Sequence, residues 1–450
     1  MVEDTICAIA TSVGNSGISI IRVSGANSFK IVNKITKIDV EKMLPNTIKY
    51  TKLIYKDELI DEVLISKFVA PKSFTAEDII EINTHGGVAP TNKVLEILLE
   101  LGVRLATPGE FTKRAFLNGR INLIEAEASN DLIVANTDYQ RVLAVNKLNG
   151  SLTKQIEDIR EKLVSIIANI EVNIDYPEYE DIEVLTNEKI VDPLTNIKKD
   201  LELLLKNSYN GKIINNGINV ALIGKPNVGK SSILNRLLGE EKAIVTNIAG
   251  TTRDIVEGSI ELNKIKYNFI DTAGIRETKD YVEQIGVEKS KQKIEEADLI
   301  ILILNNNESL TNEEQDLLNN LQDKKAIIFI NKNDLDTNIA LPDTNIPVIK
   351  GNTIDIDGLQ ELKDKIIEMY NLGDIKLQDL NYITNTRQIN LVKEANRSIE
   401  NALNMIKENT PIDLITIDIN DAWNYLGEII GKTYKEDLLD ELFSRFCLGK

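Results

Sequence analysis

The spacing of hydrophobic positions changes along the chain. Residues 1–117 mix short apolar runs with Gly and Pro turns, which predicts a small α+β domain. Its strand-like runs are Gly17 to Val23, Glu62 to Val69 and Ile79 to Ile82. Between residues 119 and 210 apolar positions recur at helical spacing, and a helical bundle core accounts for them. The stripe includes Leu152, Ile156, Ile159, Leu163, Ile166 and Ile170.

From Ile218 onwards, short apolar runs alternate with longer amphipathic stretches. Such runs suit strands that are buried on both faces of a parallel sheet. They are Asn219 to Ile223, Tyr267 to Ile270, Leu299 to Leu304 and Ala326 to Ile330. Beyond about residue 380 helical spacing returns. We therefore expect an α+β domain over residues 1–118, a discontinuous helical domain over 119–215 and 376–450, and an inserted α/β domain over 216–375.

A phosphate-loop motif follows the first of these strands. Gly224-Lys225-Pro226-Asn227-Val228-Gly229-Lys230-Ser231 fits the pattern G-x-x-x-x-G-K-[ST] and opens a predicted helix at Ser232 to Leu238. The glycines let backbone N–H groups turn toward phosphates, and the helix N-terminus adds positive potential. We expect Lys230 to reach the β- and γ-phosphates and the Ser231 hydroxyl to bind Mg²⁺.

Three further motifs follow in the order that a GTP-binding domain requires. Gly250-Thr251-Thr252-Arg253-Asp254 supplies Thr252, which can close on Mg²⁺. Asp271-Thr272-Ala273-Gly274 follows a strand and can serve the outer Mg²⁺ shell and the γ-phosphate. Asn331-Lys332-Asn333-Asp334 resembles the guanine-reading N-K-x-D motif, in which the last carboxylate accepts from N1–H and the exocyclic amine of guanine. Adenine lacks that pair, so the predicted nucleotide is GTP.

The position that carries the water-orienting glutamine in Ras-like proteins is Ile275. The attacking water must therefore be oriented by another group. Arg276, Glu277, Glu283 and Glu288 are candidates in the following stretch, although a solvated charged surface also accounts for most of them.

Composition limits the remaining possibilities. The 450 residues allow about three domains, and no apolar run reaches the ~18–20 residues of a membrane-spanning helix. The acidic N-terminus lacks the basic stretch of a secretory signal, and the two cysteines, Cys7 and Cys447, lie at opposite ends, so we expect a cytoplasmic chain without a disulfide framework. A net charge of −18 means that RNA contact requires a local basic patch or a partner protein. The single histidine, His85, argues against a histidine metal site or a Ser-His-Asp triad.

Several segments outside the nucleotide motifs resemble the MnmE (TrmE) family of tRNA-modification GTPases, and the resemblance covers essentially the whole chain. They are Asp4 to Thr11 with Gly17 to Gly25, Phe74 to Asp78 with His85-Gly86-Gly87, Pro108 to Arg120, Glu125 to Ala128, and the terminal Phe446-Cys447-Leu448-Gly449-Lys450. Two stretches depart from the family, at residues 12–17 and at Lys350-Gly351-Asn352, where a Ser-Ala-Lys-like loop is expected.

The resemblance implies sites beyond those that the motifs predict. It implies a 5-formyl-tetrahydrofolate-type one-carbon donor bound by Arg22, Glu81, Arg120 and Lys450, with arginine at 120 where the family commonly has lysine. It implies K⁺ activation through Asn227, Thr246, Ile248 and Thr251, with Glu283 and Arg276 as catalytic residues. The GTP-binding residues are expected to be Asn227, Val228, Gly229, Lys230, Ser231, Ser232, Thr246, Asn247, Ile248, Ala249, Gly250, Thr251, Asp271, Thr272, Ala273, Gly274, Asn331, Lys332 and Asp334, with Mg²⁺ on Ser231 and Thr252.

The same resemblance implies a reaction and its partners. A homodimer through the N-terminal domain, working with an MnmG-like protein that carries FAD, would add an aminomethyl-type group to C5 of the wobble uridine of certain tRNAs. Cys447 has two interpretations, a packed hydrophobic side chain or a thiol that takes part in this chemistry. An Era- or EngA-like ribosome-assembly GTPase is the alternative function, but such switches need a basic RNA-binding module and this chain is acidic.

Overall fold

A computed structural model describes residues 4–175, 187–240, 256–270, 297–355, 357–370, 381–434 and 436–444, together with residues 446 and 449. The chain divides into two compact units. Unit 1 comprises Met1–Ile133, Lys147–Lys199 and Leu391–Lys450, and unit 2 comprises Val134–Asn146 and Asp200–Asn390. None of the helices within these described ranges has the length and apolar character that crossing a membrane requires.

Unit 1 contains a six-stranded sheet whose strand order is β3-β4-β5-β2-β1-β6. The strands are β1 (Ile6–Ile9), β2 (Ser19–Ser24), β3 (Thr47–Tyr55), β4 (Glu58–Phe68), β5 (Ile79–Thr84) and β6 (Arg104–Leu105). Helices α1 (Ser28–Asn33) and α2 (Val88–Glu100) contribute Val32, Val94 and Leu98 to the core under this sheet. Alternate strand residues such as Ile21 and Ile82 fill the same core, which leaves Arg22 and Glu81 on the other face. The α+β fold that the sequence predicts for the N-terminal part of the chain is therefore confirmed.

Helices follow in the chain, as the apolar spacing predicts. They are α3 (Glu110–Leu117), α4 (Leu123–Val134), α5 (Asp138–Leu148), α6 (Ser151–Asp175) and α7 (Asn187–Asn216). The predicted stripe from Leu152 to Ile170 lies on α6, and its six apolar side chains are all buried. This burial confirms that the stripe belongs to a helical core.

Unit 2 contains a second six-stranded sheet of order β12-β11-β10-β7-β9-β8. Its elements are β7 (Ile218–Ile223), α8 (Lys230–Glu240), β8 (Val256–Leu262), β9 (Ile265–Ile270), β10 (Leu299–Asn305), α9 (Asn312–Asn320), β11 (Ala326–Asn331), β12 (Val348–Lys350) and α10 (Gln360–Met369). The four strands that the sequence predicts, β7, β9, β10 and β11, are parallel neighbours. Strand β8 was not predicted; it is antiparallel because Asn263 and Lys264, both at positive φ, form a tight hairpin turn into β9.

Strand β10 shows why the strands of this sheet appear in the sequence as continuous apolar runs. All seven of its residues are buried. Leu299, Ile301 and Ile303 lie in one apolar core, whereas Ile300, Leu302 and Leu304 lie in a second core on the opposite face. The strand is therefore covered on both sides, as expected for a parallel sheet in an α/β domain.

The last helices are α11 (Thr386–Lys407), α12 (Ile412–Ile430) and α13 (Glu436–Ser444). Helix α12 packs against α6, although about 250 residues separate them in the chain. At this contact the Arg160 guanidinium lies 4.5 Å from the centre of the Trp423 ring, and Gly427 leaves room for it. The helices on either side of the α/β insertion thus contact each other within unit 1.

Candidate functional site

The phosphate loop lies between β7 and α8, at the carboxyl end of its sheet. Gly224 (φ +150) and Gly229 (φ +103) adopt backbone conformations that disfavour side chains. A Cβ at Gly224 would lie 2.4 Å from the Ile303 carbonyl oxygen, and one at Gly229 would lie 2.3 Å from Asn331 Nδ2. Both glycines of the motif are therefore required by close approach of neighbouring strands as well as by backbone rotation.

Lys230 lies at the start of α8, and its ammonium group folds back onto the loop. Its Nζ donates hydrogen bonds to the carbonyl oxygens of Gly224 at 2.7 Å and Lys225 at 2.8 Å. Burial lowers the pKa of Lys230. The loop therefore surrounds a partly desolvated cation, which attracts a phosphate more strongly than a solvated one.

The guanine motif after β11 is tied directly to the phosphate loop. Asn331 is 2% exposed, and its Nδ2 donates to the Val228 carbonyl at 2.8 Å. Lys332, at φ +62, donates from Nζ to the carbonyl of Asn227 at 3.4 Å, and Asn227 itself has φ +63. The structure thus brings together Asn227 to Ser232 with Asn331 and Lys332, and it places Asp334 on the surface after them.

A salt bridge beside the phosphate loop was missed by the sequence reasoning. Lys225 Nζ lies 2.8 Å from Oε2 of Glu314, which is 5% exposed. Burial raises the pKa of Glu314, but hydrogen bonds from Lys225 and Thr311 outweigh it and leave the pKa lowered. The signal was present, because Thr311-x-x-Glu314 is a capping box at the start of α9.

Several predicted site residues lie outside the described residues. They are Thr246, Asn247, Ile248, Ala249, Gly250, Thr251, Thr252, Asp271, Thr272, Ala273, Gly274, Arg276, Glu277, Glu283, Glu288, Cys447 and Lys450.

A second cluster lies on the face of the unit 1 sheet opposite to its core. Arg22 on β2 is the cross-strand partner of Glu81 on β5, and its Nε and Nη2 donate to Glu81 Oε1 at 3.0 and 2.8 Å. Nη1 of Arg22 also lies 3.4 Å from the carbonyl oxygen of Gly449. A Cβ at Gly449 would lie 2.3 Å from the Ile9 carbonyl oxygen, so Gly449 lies close against β1. Arg22, Glu81 and Gly449 therefore meet.

Phe74 joins Arg120 to this cluster and was not among the predicted site residues. The guanidinium groups of Arg22 and Arg120 lie 5.1 and 5.0 Å from the centre of its ring. Nη1 of Arg120 donates to the Phe74 carbonyl at 2.7 Å. Phe74 opens the segment Phe74 to Asp78 that carries the family resemblance, but the position of its ring between two guanidinium groups follows only from the tertiary structure.

Buried ion pairs hold the segments around this cluster. Arg114 on α3 has 2% side-chain exposure and contacts Asp4 at 2.6 Å, Glu110 at 3.0 Å and Glu77 at 3.2 Å. Arg104 pairs with Glu110 as well. Burial raises the pKa of Glu110, but hydrogen bonds from Arg104, the Thr107 backbone and Arg114 prevail and lower it to about 2.

The similarity to known proteins covers nearly the whole chain, not only these two sites. The family model of the MnmE helical domain matches residues 123–447, and the model of the GTP-binding protein TrmE N-terminus matches residues 5–120. A tRNA modification GTPase MnmE from Bacillus cytotoxicus is 46% identical over 99% of this chain and 99% of its own length. The proteins of the same name from Ligilactobacillus salivarius and Bacillus subtilis are 45% and 44% identical, covering 99% of this chain and 98% and 100% of their own lengths.

Solved structures match over a smaller part. Era from Aquifex aeolicus bound to GDP and AlF₄⁻ is 28% identical, with a TM-score of 0.26, over 40% of this chain and 66% of that one. The G domain of the T. maritima FeoB iron transporter is 29% identical, with a TM-score of 0.24, over 34% of this chain and 97% of that one. Because the curated relatives match from end to end, the chain belongs to the MnmE family of tRNA modification GTPases.

Proposed function

We propose that the chain hydrolyses GTP in the modification of tRNA. The observation that carries this proposal is the phosphate loop, in which the Val228 carbonyl accepts a hydrogen bond from the Asn331 side chain of the guanine motif. The chain also matches MnmE proteins over 99% of its length. The match includes the parts that flank the nucleotide-binding domain, which favours tRNA modification over a ribosome-assembly switch. Turnover of GTP but not ATP, lost in Lys230→Ala, is the expected result; equal turnover of both nucleotides would refute it.

We infer that the modified base is the wobble uridine. The product would be a carboxymethylaminomethyl- or aminomethyl-type group at C5, made together with an MnmG-like FAD protein. Mass spectrometry of tRNA nucleosides from cells that lack the chain tests this. Modified wobble uridines should be lost and should return with the wild-type gene but not with Lys230→Ala; an unchanged nucleoside profile would refute the assignment.

Mg²⁺ is the expected metal at the nucleotide, where it would neutralise phosphate charge. Ser231, at the start of α8, and Thr252 would hold it. The hydroxyl of Ser231 follows Lys230 directly, so it lies at the same helix N-terminus that would receive the phosphates. Ser231→Ala should weaken the Mg²⁺ dependence of nucleotide binding more than binding of the nucleotide without metal.

We propose that K⁺ activates hydrolysis. Asn227, Thr246, Ile248 and Thr251 would provide oxygen ligands, Glu283 would orient the attacking water, and Arg276 would support it. Asn227 supports this proposal for two reasons. It stands at the loop position that the family resemblance assigns to the cation, and its backbone adopts a left-handed conformation there. GTP turnover in KCl should exceed that in NaCl at equal ionic strength, and Asn227→Ala should abolish the difference. Equal rates in the two salts would refute the proposal.

We propose that the cluster on the unit 1 sheet binds a 5-formyl-tetrahydrofolate-type donor through Arg22, Glu81, Arg120 and Lys450. The residues of this cluster fit a folate. Glu81 Oε1 accepts both hydrogen bonds from Arg22, while Oε2 accepts none from the described residues and can accept one from a ligand. A carboxylate suits the amino-pyrimidinone edge of a pteridine, and two guanidinium groups suit its carbonyl and carboxylate groups. The folate supplies a one-carbon unit when bound. Calorimetry with 5-formyl-tetrahydrofolate should show binding that Glu81→Gln weakens at least tenfold.

The wider assembly is also proposed. It comprises a homodimer through the N-terminal domain, a complex with the MnmG-like protein and tRNA, and a cytoplasmic location. The domains would be residues 1–118, 119–215 with 376–450, and 216–375. Cys447 would lie beside the folate site, where its thiol would take part in the modification. Wild-type levels of modified wobble uridine in cells carrying Cys447→Ser would refute that role.

A further inference from the structure

A third loop, which begins at Gly351 after β12, lies beside the guanine motif. The stretch Lys350-Gly351-Asn352 spans the end of the strand and the start of this loop. A Cβ at Gly351 would lie 2.3 Å from the Gly358 carbonyl oxygen, and one at Gly358 would lie 2.1 Å from the Asn352 carbonyl oxygen. The backbone therefore closes tightly on itself here, and Asn352 is 5% exposed within it.

The Asn352 carboxamide is fully used in hydrogen bonds. Its Oδ1 accepts from the backbone N–H groups of Ile354 at 3.0 Å and Asp355 at 2.8 Å. Its Nδ2 donates to Oδ1 of Asn333 at 2.9 Å and to Oδ2 of Asp355 at 2.8 Å. The two backbone donors need an oxygen facing them, which fixes the orientation of the amide and directs Nδ2 at Asn333.

Asn333 is the third residue of the N-K-x-D motif, so it stands directly before Asp334. Its backbone N–H donates to the Gly351 carbonyl at 3.2 Å, which adds a second link to the one from Asn352. On the other side of the same loop, Nη1 of Arg236 on α8 donates to the Thr353 carbonyl at 3.1 Å. The loop after β12 thus connects the helix of the phosphate loop to the residue that precedes the guanine-reading carboxylate.

We propose that Asn352 is a positioning residue for guanine recognition, because its carboxamide holds Asn333 and thereby fixes Asp334 where the base must bind. The inference rests on the proposed binding of GTP. A guanine base offers Asp334 two donors, N1–H and the 2-amino group, and both bonds form only when the carboxylate is correctly placed. Hypoxanthine keeps N1–H but lacks the 2-amino group, so it depends less on that placement.

The test compares GDP with IDP in the full-length chain, by competition against a fluorescent GDP analogue. Asn352→Ala should weaken GDP binding about three- to tenfold, IDP binding less, and so lower the GDP/IDP preference. Asn333→Ala should do the same, whereas Asn333→Asp keeps an acceptor for Nδ2 and should retain the preference. In GTP turnover, KM should rise in Asn352→Ala while kcat stays unchanged.

Asn338→Ala is the matched control. Its Nδ2 donates to the Asn307 carbonyl at 3.1 Å in the neighbouring loop and does not reach residues 351–352. A merely structural role for Asn352 would weaken GDP and IDP equally, so an unchanged GDP/IDP preference overturns the inference, as does an equal loss of preference in Asn338→Ala. If Asn352→Ala does not fold, Asn333→Ala decides, since it removes the same bond from the exposed side. Absence of GDP binding by the wild-type chain would instead refute the proposed function.

Discussion

Replacing Arg114 by methionine should destabilise the unit 1 sheet locally. Arg114 has 2% side-chain exposure and pairs with Asp4, Glu77 and Glu110, whose side chains are 39%, 17% and 11% exposed. Methionine fills a similar space but leaves these carboxylates without their shared cation. Removing one partner of a buried ion pair costs about 3–5 kcal/mol. Because Asp4 is partly solvated and Arg104 still neutralises Glu110, we expect the lower end, about 3 kcal/mol.

Hydrogen exchange measured by mass spectrometry on the full-length chain is the suitable assay, because it resolves local opening in α3 and β1. A loss of about 3 kcal/mol corresponds to exchange on the order of a hundredfold faster in those peptides. Lys113→Met is the matched control on the same helix. Among the described residues Lys113 pairs with the exposed Asp440, so its replacement should change stability by less than about 1 kcal/mol. Exchange in Arg114→Met no faster than in Lys113→Met would refute the stabilising role of the buried network.

Three further predictions follow from described contacts. The pKa of Glu110 is about 2 in the folded chain against an ordinary 4.5, so its ionised form stabilises the fold above pH 4.5 and that stabilisation is lost as the pH falls from 4.5 toward 2. Acid unfolding of Glu110→Gln should therefore begin from a lower stability and depend less on pH; an unchanged acid profile would contradict this. The thiol of Cys7 is fully buried, which raises its pKa to about 12, so in a Cys447→Ser chain iodoacetamide should label it in urea but not in native buffer at pH 8. Gly229→Ala places a Cβ against Asn331 Nδ2 at a φ of +103, so nucleotide affinity should fall more than tenfold. Gly239→Ala, whose Cβ meets nothing within 4 Å, should leave the affinity unchanged. Equal affinities in the two variants would count against the close approach.

Sequence reasoning predicted the elements whose periodicity is strong. The buried stripe on α6 and the parallel strands β7, β9, β10 and β11 were predicted because one-sided or two-sided burial leaves a direct periodic trace. Strand β8 was not predicted, since an edge strand with alternating polar residues has a weaker apolar pattern. The turn residues Asn263-Lys264 do not by themselves predict a hairpin. The positive φ of both residues, which identifies the turn, is visible only in the structure.

The motifs of the nucleotide site were determined by the sequence alone, because each depends on residue types at short, fixed spacing: glycines at 224 and 229, Lys230, and the Asn331 to Asp334 stretch. The tertiary structure decided which distant residues support them. The links from Lys225 to Glu314, from Asn331 to Val228 and from Asn352 to Asn333 join segments whose separation in the chain carries no periodic signal. The same holds for Phe74 between Arg22 and Arg120. Such contacts arise only when segments from different parts of the chain come together in the fold, and that arrangement is set by packing of the whole domain.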